Sequence, residues 1–537
     1  MGSSNIFVSF GGWQYWQNDA QLASERIKDV GGQLGWLALA AIIMAAVCLH
    51  MTYNLYFHPL ANFPGPFWAR SSLLWRFWHT MRGRSHRVIQ TTHEKYGPVF
   101  RVSPNELSFG SPTSWKAIYG YPAPGKEHLI KGEFYDIFGA SYKTGCIGSE
   151  RDPAVHARKK RNLTAAFSAR ALAEQEPIVQ ACLDRFVDKL GPLSQASGGK
   201  GLDVVRWMEM IAFDVLGEMA FGEGFSCVEN EKHHPWMDLI LKHLFEVTTV
   251  DNLRRIRVLE TLGRWLLPSL TSSVREKHSM YSRKKVQKRL DVEAPRQDFF
   301  THIAKKVRAG EVEQEEMTAH ASTLILAGGE TTATCLAAAV YYLLKTPSAL
   351  EKLTTEIRTR YKTYDEIDAS SAMQLPYLQA VINEALRIHP PGSQGFPRVS
   401  PGCEIDGHWV PKGVHLMSDE RRAVLLMWMQ TEVYTSAWTV THDPCNFHEP
   451  ISFIPERWLD PGSRDVKEAS QPFSLGYRAC IGRNFAYLEM TSCLSKILFR
   501  YDMKAVNPDL DWEGASRCYV MWWKAPVPVI FEDRLLV

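Results

Sequence analysis

None of the ten cysteines forms a Cys-x-x-Cys pair, so the short thiol bracket that holds zinc or an iron–sulfur cluster is missing. Their scattered spacing is also unlike a disulfide framework. It fits a reducing compartment in which roughly nine of the ten are ordinary core residues. Charge of one sign is scarce as well: the formal net charge is +3, far from the basic excess of a nucleic-acid reader. No glycine-rich fingerprint sits beside a strand pattern, which excludes a built-in dinucleotide site. There is no internal repeat and no Pro/Ser-rich linker to divide the chain. What remains is a 537-residue sequence, 45% hydrophobic and 22% charged, able to bury a large core.

One stretch lacks charge altogether. No Asp, Glu, Lys or Arg occurs between Val30 and Ala69, and Leu34–Tyr56 is a 23-residue apolar run, about 34 Å long as a helix. Some 30 polar residues precede it, which is unlike a signal peptide, and a core helix is usually shorter and amphipathic. The run is expected to span a membrane. Arg70, Arg76, Arg82, Arg84, Arg87 and Lys95 follow it against Glu94 alone, whereas the upstream flank is mixed. The positive side stays cytosolic, so residues 1–33 are expected to be lumenal. Pro59, Pro64 and Pro66 mark residues 57–68 as a stiff, extended connector to a body at 69–537.

That body reads as mainly α with small β-sheets. Apolar residues recur at helical spacing over Ala171–Leu190, Val204–Phe221, Glu315–Leu344, Ala349–Tyr361 and Tyr377–His389. Strand-like pieces fall near Val99–Val102, Glu404–Val410 and Glu432–Trp438.

The most informative segment is Phe473-Ser-Leu-Gly-Tyr-Arg-Ala-Cys-Ile-Gly482, followed by a helical run to Phe499. A cysteine entering a helix N-terminus meets free N–H groups and the positive end of the dipole, which favour a thiolate. Gly476 and Gly482 let the backbone bend and approach a flat macrocycle. Phe473 can shield the sulfur and Arg478 can pair with an acidic substituent of that macrocycle. Taken alone, a cysteine between glycines is most often structural. Elsewhere, Glu384 and Arg387 in VINEALRIHPP share a helix face, Pro455-Glu-Arg-Trp458 stands downstream, and Ala327-Gly-Gly-Glu-Thr-Thr332 interrupts an apolar helix, inviting a kink.

In order and content these motifs resemble the cytochrome P450 family, whose signature Phe-x-x-Gly-x-Arg-x-Cys-x-Gly is matched at Phe473, Gly476, Arg478, Cys480 and Gly482. The resemblance runs from about Tyr53 to the C-terminus. It implies a cytochrome P450 fold behind one N-terminal transmembrane helix, with haem (heme b) held by Cys480 as axial ligand to the iron. It further implies a Glu384–Arg387–Arg457 network beneath the haem, and Glu330 and Thr331 relaying protons to bound dioxygen. Arg398 in GFPRVS aligns with an arginine that contacts a haem propionate. His156 and Lys160 stand where the family has Trp-x-x-x-Arg, and lysine cannot reproduce a bidentate contact. The Asn162-Leu-Thr sequon is expected to be unused on the cytosolic side.

The implied reaction is insertion of one oxygen atom from O₂ into a lipophilic small molecule. Electrons would come from NADPH through a separate NADPH-cytochrome P450 reductase, at the endoplasmic reticulum membrane. Substrate walls are expected from Phe134–Cys146, Pro235–Asn252, the helix near Ala327, Gly392–Phe396 and Ser516–Met521. YNLYFHPLANFPGP, HEKYGPVFRVSPNELSF, EIDGHWVPKG and FIPERWLD are similar to fungal enzymes of secondary-metabolite pathways of the isotrichodermin C-15 hydroxylase type. One departure stands out. Where the family passes almost directly from Val-Pro-Lys-Gly to Thr-x-Val, this chain inserts Val414–Gln430, 17 residues. A valine codon can supply GT and a glutamine codon AG, so the piece reads as a retained in-frame intron, with a surface insertion as the alternative.

Overall fold

The computed structural model describes residues 35–122, 124–139, 141–256, 276–291, 298–412 and 430–534. Helix α1, Gly35–Phe57, is long and apolar enough to cross a membrane, and its apolar window makes no contact with the body. It ends one residue after the expected Tyr56, and Leu34, the expected start of the run, lies outside the described residues. The last turn, Tyr53–Phe57, widens into a π-helix, and here the anchor joins the body. Asn54 is buried, its amide donates to Ser71 O at 2.9 Å, and its carbonyl accepts from the buried Arg101 Nη1 at 2.7 Å. The connector is folded into turns rather than extended, with Ala61 N donating to His58 O at 2.8 Å and Phe63 N to Leu60 O at 3.1 Å. Leu60 and Phe63 sink into a core cluster, and Pro64 O accepts from Arg101 N at 2.8 Å.

The remaining helices used below are α2 Leu74–Met81, α3 Ser85–Tyr96, α4 Pro153–Thr164, α5 Ala169–Ala196, α6 Val204–Phe221, α7 Pro235–Arg254, α8 Gln314–Lys345, α9 Pro376–Ile388 and α10 Arg483–Arg500. Helix α8 also has the length and hydropathy of a membrane span, but most of it is buried inside the body. Glu315 and Glu316 in its first turn and Lys345 in its last oppose the helix dipole. Against it lies α6, buried along nearly its whole length. At Gly328 an added Cβ would stand 3.0 Å from Leu216 of α6. The glycine pair therefore permits close helix packing, and the α-helical assignment of α8 continues through it.

A five-stranded sheet forms the other side, with β1 Val99–Ser103, β2 Glu106–Phe109, β3 Ile130–Lys131, β4 Arg398–Val399 and β5 Glu432–Thr435 in the spatial order β1-β2-β5-β4-β3. β5 runs parallel to β2 and antiparallel to β4. The strand expected over Glu432–Trp438 stops at Thr435, because Ser436 caps a short helix, Ala437–His442, accepting from Thr439 N. The Glu404–Val410 piece is a hairpin turned at Asp406-Gly407, both at positive φ.

The expected insertion lies outside the described residues except at its last residue, Gln430. Its flanks are close together: Ser400 N donates to Thr431 O at 2.9 Å and Ser400 Oγ to Val410 O at 3.0 Å. All ten cysteines are free, but only six are buried. Cys48, Cys445 and Cys480 are exposed and Cys403 is half-buried, a smaller core share than expected.

Beside the anchor, Phe67, Trp68, Leu74 and Trp78 are all more than half exposed. Leu74 and Trp78 lie one turn apart on α2. The other face of α2 carries Trp75, Arg76, His79 and Thr80, which line a cavity of about 750 Å³.

Candidate functional site

The cysteine loop enters α10 through Gly482, with Cys480 N donating to Phe473 O at 2.9 Å. Gly476 adopts φ +69°, and a Cβ there would lie 2.4 Å from Tyr119 O. It is needed for the loop to press on neighbouring backbone. Around Gly482 a Cβ would meet only Cys480 Sγ, at 3.9 Å, so this glycine leaves room on the sulfur's side. Cys480 is exposed, yet burial pushes its thiol upward, against the backbone N–H groups of Gly482 and Arg483 and the Lys160 ammonium. A sulfur both accessible and desolvated borders an enclosed space. The expected lowering at the helix N-terminus is present but outweighed by burial. A coordinated metal would reverse that balance, because a ligating thiol gives up its proton. Phe473 packs 5.4 Å from the Tyr487 ring.

Cations gather on one side of this loop. Lys160, from α4, donates to Tyr477 O at 2.8 Å and Ala479 O at 3.5 Å, tying α4 to the residues before the cysteine. Arg478 donates to Glu150 O and Arg151 O, both at 2.7 Å, and its Nε is buried without a partner. Arg398, buried in β4, donates to Tyr135 Oη at 2.7 Å. Lys131 in β3 reaches Ile147 O at 3.2 Å and the carbonyl of Gly148. Between them lies His156. Burial first, and then Arg478, Lys131, Lys160 and Arg398, hold it down to about 3, and its Nδ1 is unpartnered. Among the described residues no carboxylate is ion-paired to Lys131, Lys160, Arg398 or Arg478. Four cations around His156, with Lys160 also acting on the Cys480 sulfur, suit a ligand with carboxylates at its edge. The residues fit a haem with its propionates here. Lys131 was not read from the sequence: it sits in a two-residue strand with no motif around it. Asn162 is buried, its Oδ1 taken by Lys306 Nζ at 2.8 Å.

Behind the loop, Glu384, Arg387 and Arg457 meet as expected. Arg387 Nε and Nη2 donate to the two Glu384 oxygens at 2.8 Å each, and Arg457 Nε reaches Oε1 at 3.2 Å. Ile454 N at 3.0 Å and Trp458 Nε1 at 2.9 Å complete the shell of Glu384. Asp465, which carries no sequence signal, pairs with Arg457. Full coordination is what makes a fully buried charge tolerable.

On α8, Ala327 is exposed while most of its helix is buried, so it too borders interior space. Thr331 Oγ1 donates to Ala327 O at 2.5 Å. Glu330 pairs with Lys524, which follows the strand Met521–Trp523, and Lys524 also meets Glu209 of α6 at 2.9 Å. Burial, offset by Lys524 and reinforced by Glu209, pushes the Glu330 carboxyl up to about 7. Sequence reading missed both Lys524 and Glu209. Of the expected substrate walls, Phe134, Thr248, Phe396 and Val520 converge on the 750 Å³ cavity, while Ala327 and Cys146 do not line it.

Comparison with known proteins agrees with this geometry. The family profile described as Cytochrome P450 matches residues 63–418 and 425–513. Cytochrome P450 monooxygenase ORF9 of Penicillium roqueforti (strain FM164) is 54% identical, covering 92% of this chain and 93% of the relative. Cytochrome P450 monooxygenase BOT4 of Botryotinia fuckeliana is 47% identical over 93% and 91%. Trichothecene C-15 hydroxylase of Fusarium sporotrichioides is 37% identical over 93% and 97%. With a family match over most of its length and relatives that are fungal monooxygenases, the chain belongs to the cytochrome P450 family and is a monooxygenase of it.

Proposed function

We propose that this chain is a membrane-anchored haem-thiolate enzyme that inserts one oxygen atom from O₂ into a lipophilic small molecule of a fungal secondary-metabolite pathway. Electrons come from NADPH through a separate NADPH-cytochrome P450 reductase. The observation that carries this reading is the accessible but desolvated Cys480, flanked by cations that have no protein carboxylate among the described residues. Haem, when bound, supplies the activation of dioxygen. Cys480 would hold the iron; Arg398, Arg478, His156 and Lys160, joined by Lys131, would face the propionates. Phe473 screens the sulfur, and Gly476 and Gly482 shape its loop. Glu384, Arg387 and Arg457 fix the wall behind. Glu330 holds a proton beside Thr331, whose hydroxyl passes it on. The similarity to trichothecene C-15 hydroxylase supports hydroxylation as the form this insertion takes.

Residues 34–56 form a single span in the endoplasmic reticulum membrane, with 1–33 lumenal, 57–68 the connector and 69–537 the cytosolic catalytic domain. The piece 414–430 is the in-frame reading of an intron that the mature message lacks. Support comes from its flanks, closed on each other through Ser400, and from the family match, which breaks off between residues 418 and 425. Sequencing the mature transcript tests it: 51 bases present there (three per residue) would refute the intron.

The reduced-plus-CO difference spectrum of the purified chain tests the main reading. A band near about 450 nm is expected for a thiolate-ligated haem; its absence removes the claim. Turnover without O₂ or reductase would instead favour an isomerase or dehydratase.

A further inference from the structure

The acid at the centre of α8 does not stand alone. Glu330 shares the fully buried ammonium of Lys524 with Glu209, whose Oε1 lies 2.9 Å from Nζ. The second oxygen of Glu209, Oε2, faces His233 Nε2 at 3.5 Å. The other ring nitrogen, His233 Nδ1, faces Asp238 Oδ1 at 4.0 Å. Exposure falls from Asp238, 64%, through His233, 24%, to Glu209, 11%, and Lys524, 0%, and Glu330 at the end of the row is 10% exposed. Glu209, His233, Asp238, Gly329 and Glu330 also line one cavity of about 370 Å³. Four separate segments thus contribute titratable groups to one file, from the protein surface to the oxygen-side turn of α8.

We propose that Asp238, His233, Glu209 and Lys524 form the main route by which solvent protons reach Glu330, with Glu209 as the principal carrier and Lys524 as the residue that positions it. This rests on the monooxygenase reading of the site. His233, reprotonated from water beside Asp238, gives its Nε2 proton to Glu209 Oε2. Glu209 then turns its proton to Nζ as Nζ–H passes to Glu330 Oε1. Lys524 ends as the ammonium it began as, and Glu330 has gained one proton. No oxidant or reductant takes part. One ammonium between two carboxylates leaves a single negative charge, and burial disfavours keeping it. The site therefore takes up one proton readily; among the described residues, Lys524 and Glu209 are the charged groups that act on Glu330.

The test uses the full-length, haem-loaded protein in detergent at pH 6. The infrared carboxylic-acid band of Glu330 is identified by its loss in Glu330→Gln, and its shift is timed after transfer into deuterium oxide. Glu209→Gln, which keeps size and a hydrogen bond to Lys524, should slow that shift by about tenfold or more. His233→Asn should slow it less, because water can reach Glu209 through the cavity. Lys524→Arg, which preserves the cation, should retain exchange, whereas Lys524→Met should lose it. With reductase and NADPH, Glu209→Gln should also send a larger share of electrons to hydrogen peroxide. Unchanged exchange in Glu209→Gln, or no band lost in Glu330→Gln, overturns the route. The CO-difference band is read in every variant: if it persists while exchange is unchanged, the route fails and the haem-thiolate reading stands.

Discussion

At the scale of single residues, two glycines of one loop do different work. Gly476 is fixed by the protein, with positive φ and a backbone oxygen 2.4 Å from where a Cβ would sit. Gly476→Ala should cost at least about 1–3 kcal/mol of stability, read as a lowered thermal midpoint even without haem. Gly482, with φ −86° and only Cys480 Sγ near its missing Cβ, should tolerate alanine in the apoprotein. Its effect should appear only as a shifted or weakened CO-difference band. Arg387 gives a third case: Arg387→Met takes the two-pronged partner from a fully buried Glu384 and leaves it Arg457 as its one cation, a loss of about 3–5 kcal/mol, measured as the collapse of folded yield and of haem content. These positions were legible in the sequence because each belongs to a short contiguous motif. Lys131, Glu209 and Lys524 were not, since each acts on a partner from a distant segment and none sits in a motif of its own. The cysteine's electrostatics were half legible: spacing reveals the helix N-terminus, but not the desolvation that opposes it.

At the scale of elements, α6 and α8 approach through Gly328. Gly328→Val should overpack against Leu216 and cost about 1–3 kcal/mol, and Leu216→Ala in the same chain should restore much of it, a coupling a double-mutant cycle measures. The sequence flagged this spot as irregular but did not show the close packing on Leu216, because a helix's own pattern does not report how near its neighbour lies. Buried histidines tie other elements together. Trp236 of α7 donates from Nε1 to His278 Nδ1 at 2.8 Å, and His278 Nε2 meets Ser322 of α8 at 2.7 Å. Burial holds His278, and likewise His86 and His442, down to about 3 from an ordinary 6.5. Between those values the unfolded chain binds protons that the folded one refuses. Stability is therefore full above pH 6.5 and falls as pH drops towards 3, by up to about 1.4 kcal/mol per pH unit for each histidine. Thermal midpoints taken from pH 7.5 to 5 should show this slope, and His278→Gln should make it shallower.

For the whole molecule, helix and strand positions were largely readable from periodicity, and α1 from its length and lack of charge. The seam between anchor and body was not, because it depends on Asn54 and Arg101, which look unremarkable in sequence. A chain beginning at residue 50 keeps the Asn54 carbonyl that Arg101 needs, whereas one beginning at residue 60 leaves a buried guanidinium short of an acceptor. The longer form should show the higher thermal midpoint in detergent, and both should lose carbonate-resistant membrane association.

Helix α2 gives one face to Leu74 and Trp78 and the other to the 750 Å³ cavity. On the membrane-anchored reading proposed above, the seam beside it would keep that helix near the bilayer. A compound that dissolves in lipid is then presented to the cavity wall at its concentration in the bilayer, not in water. The apparent Michaelis constant becomes a partition measurement, rising as lipid is added at fixed total substrate because the same molecules are spread through more membrane.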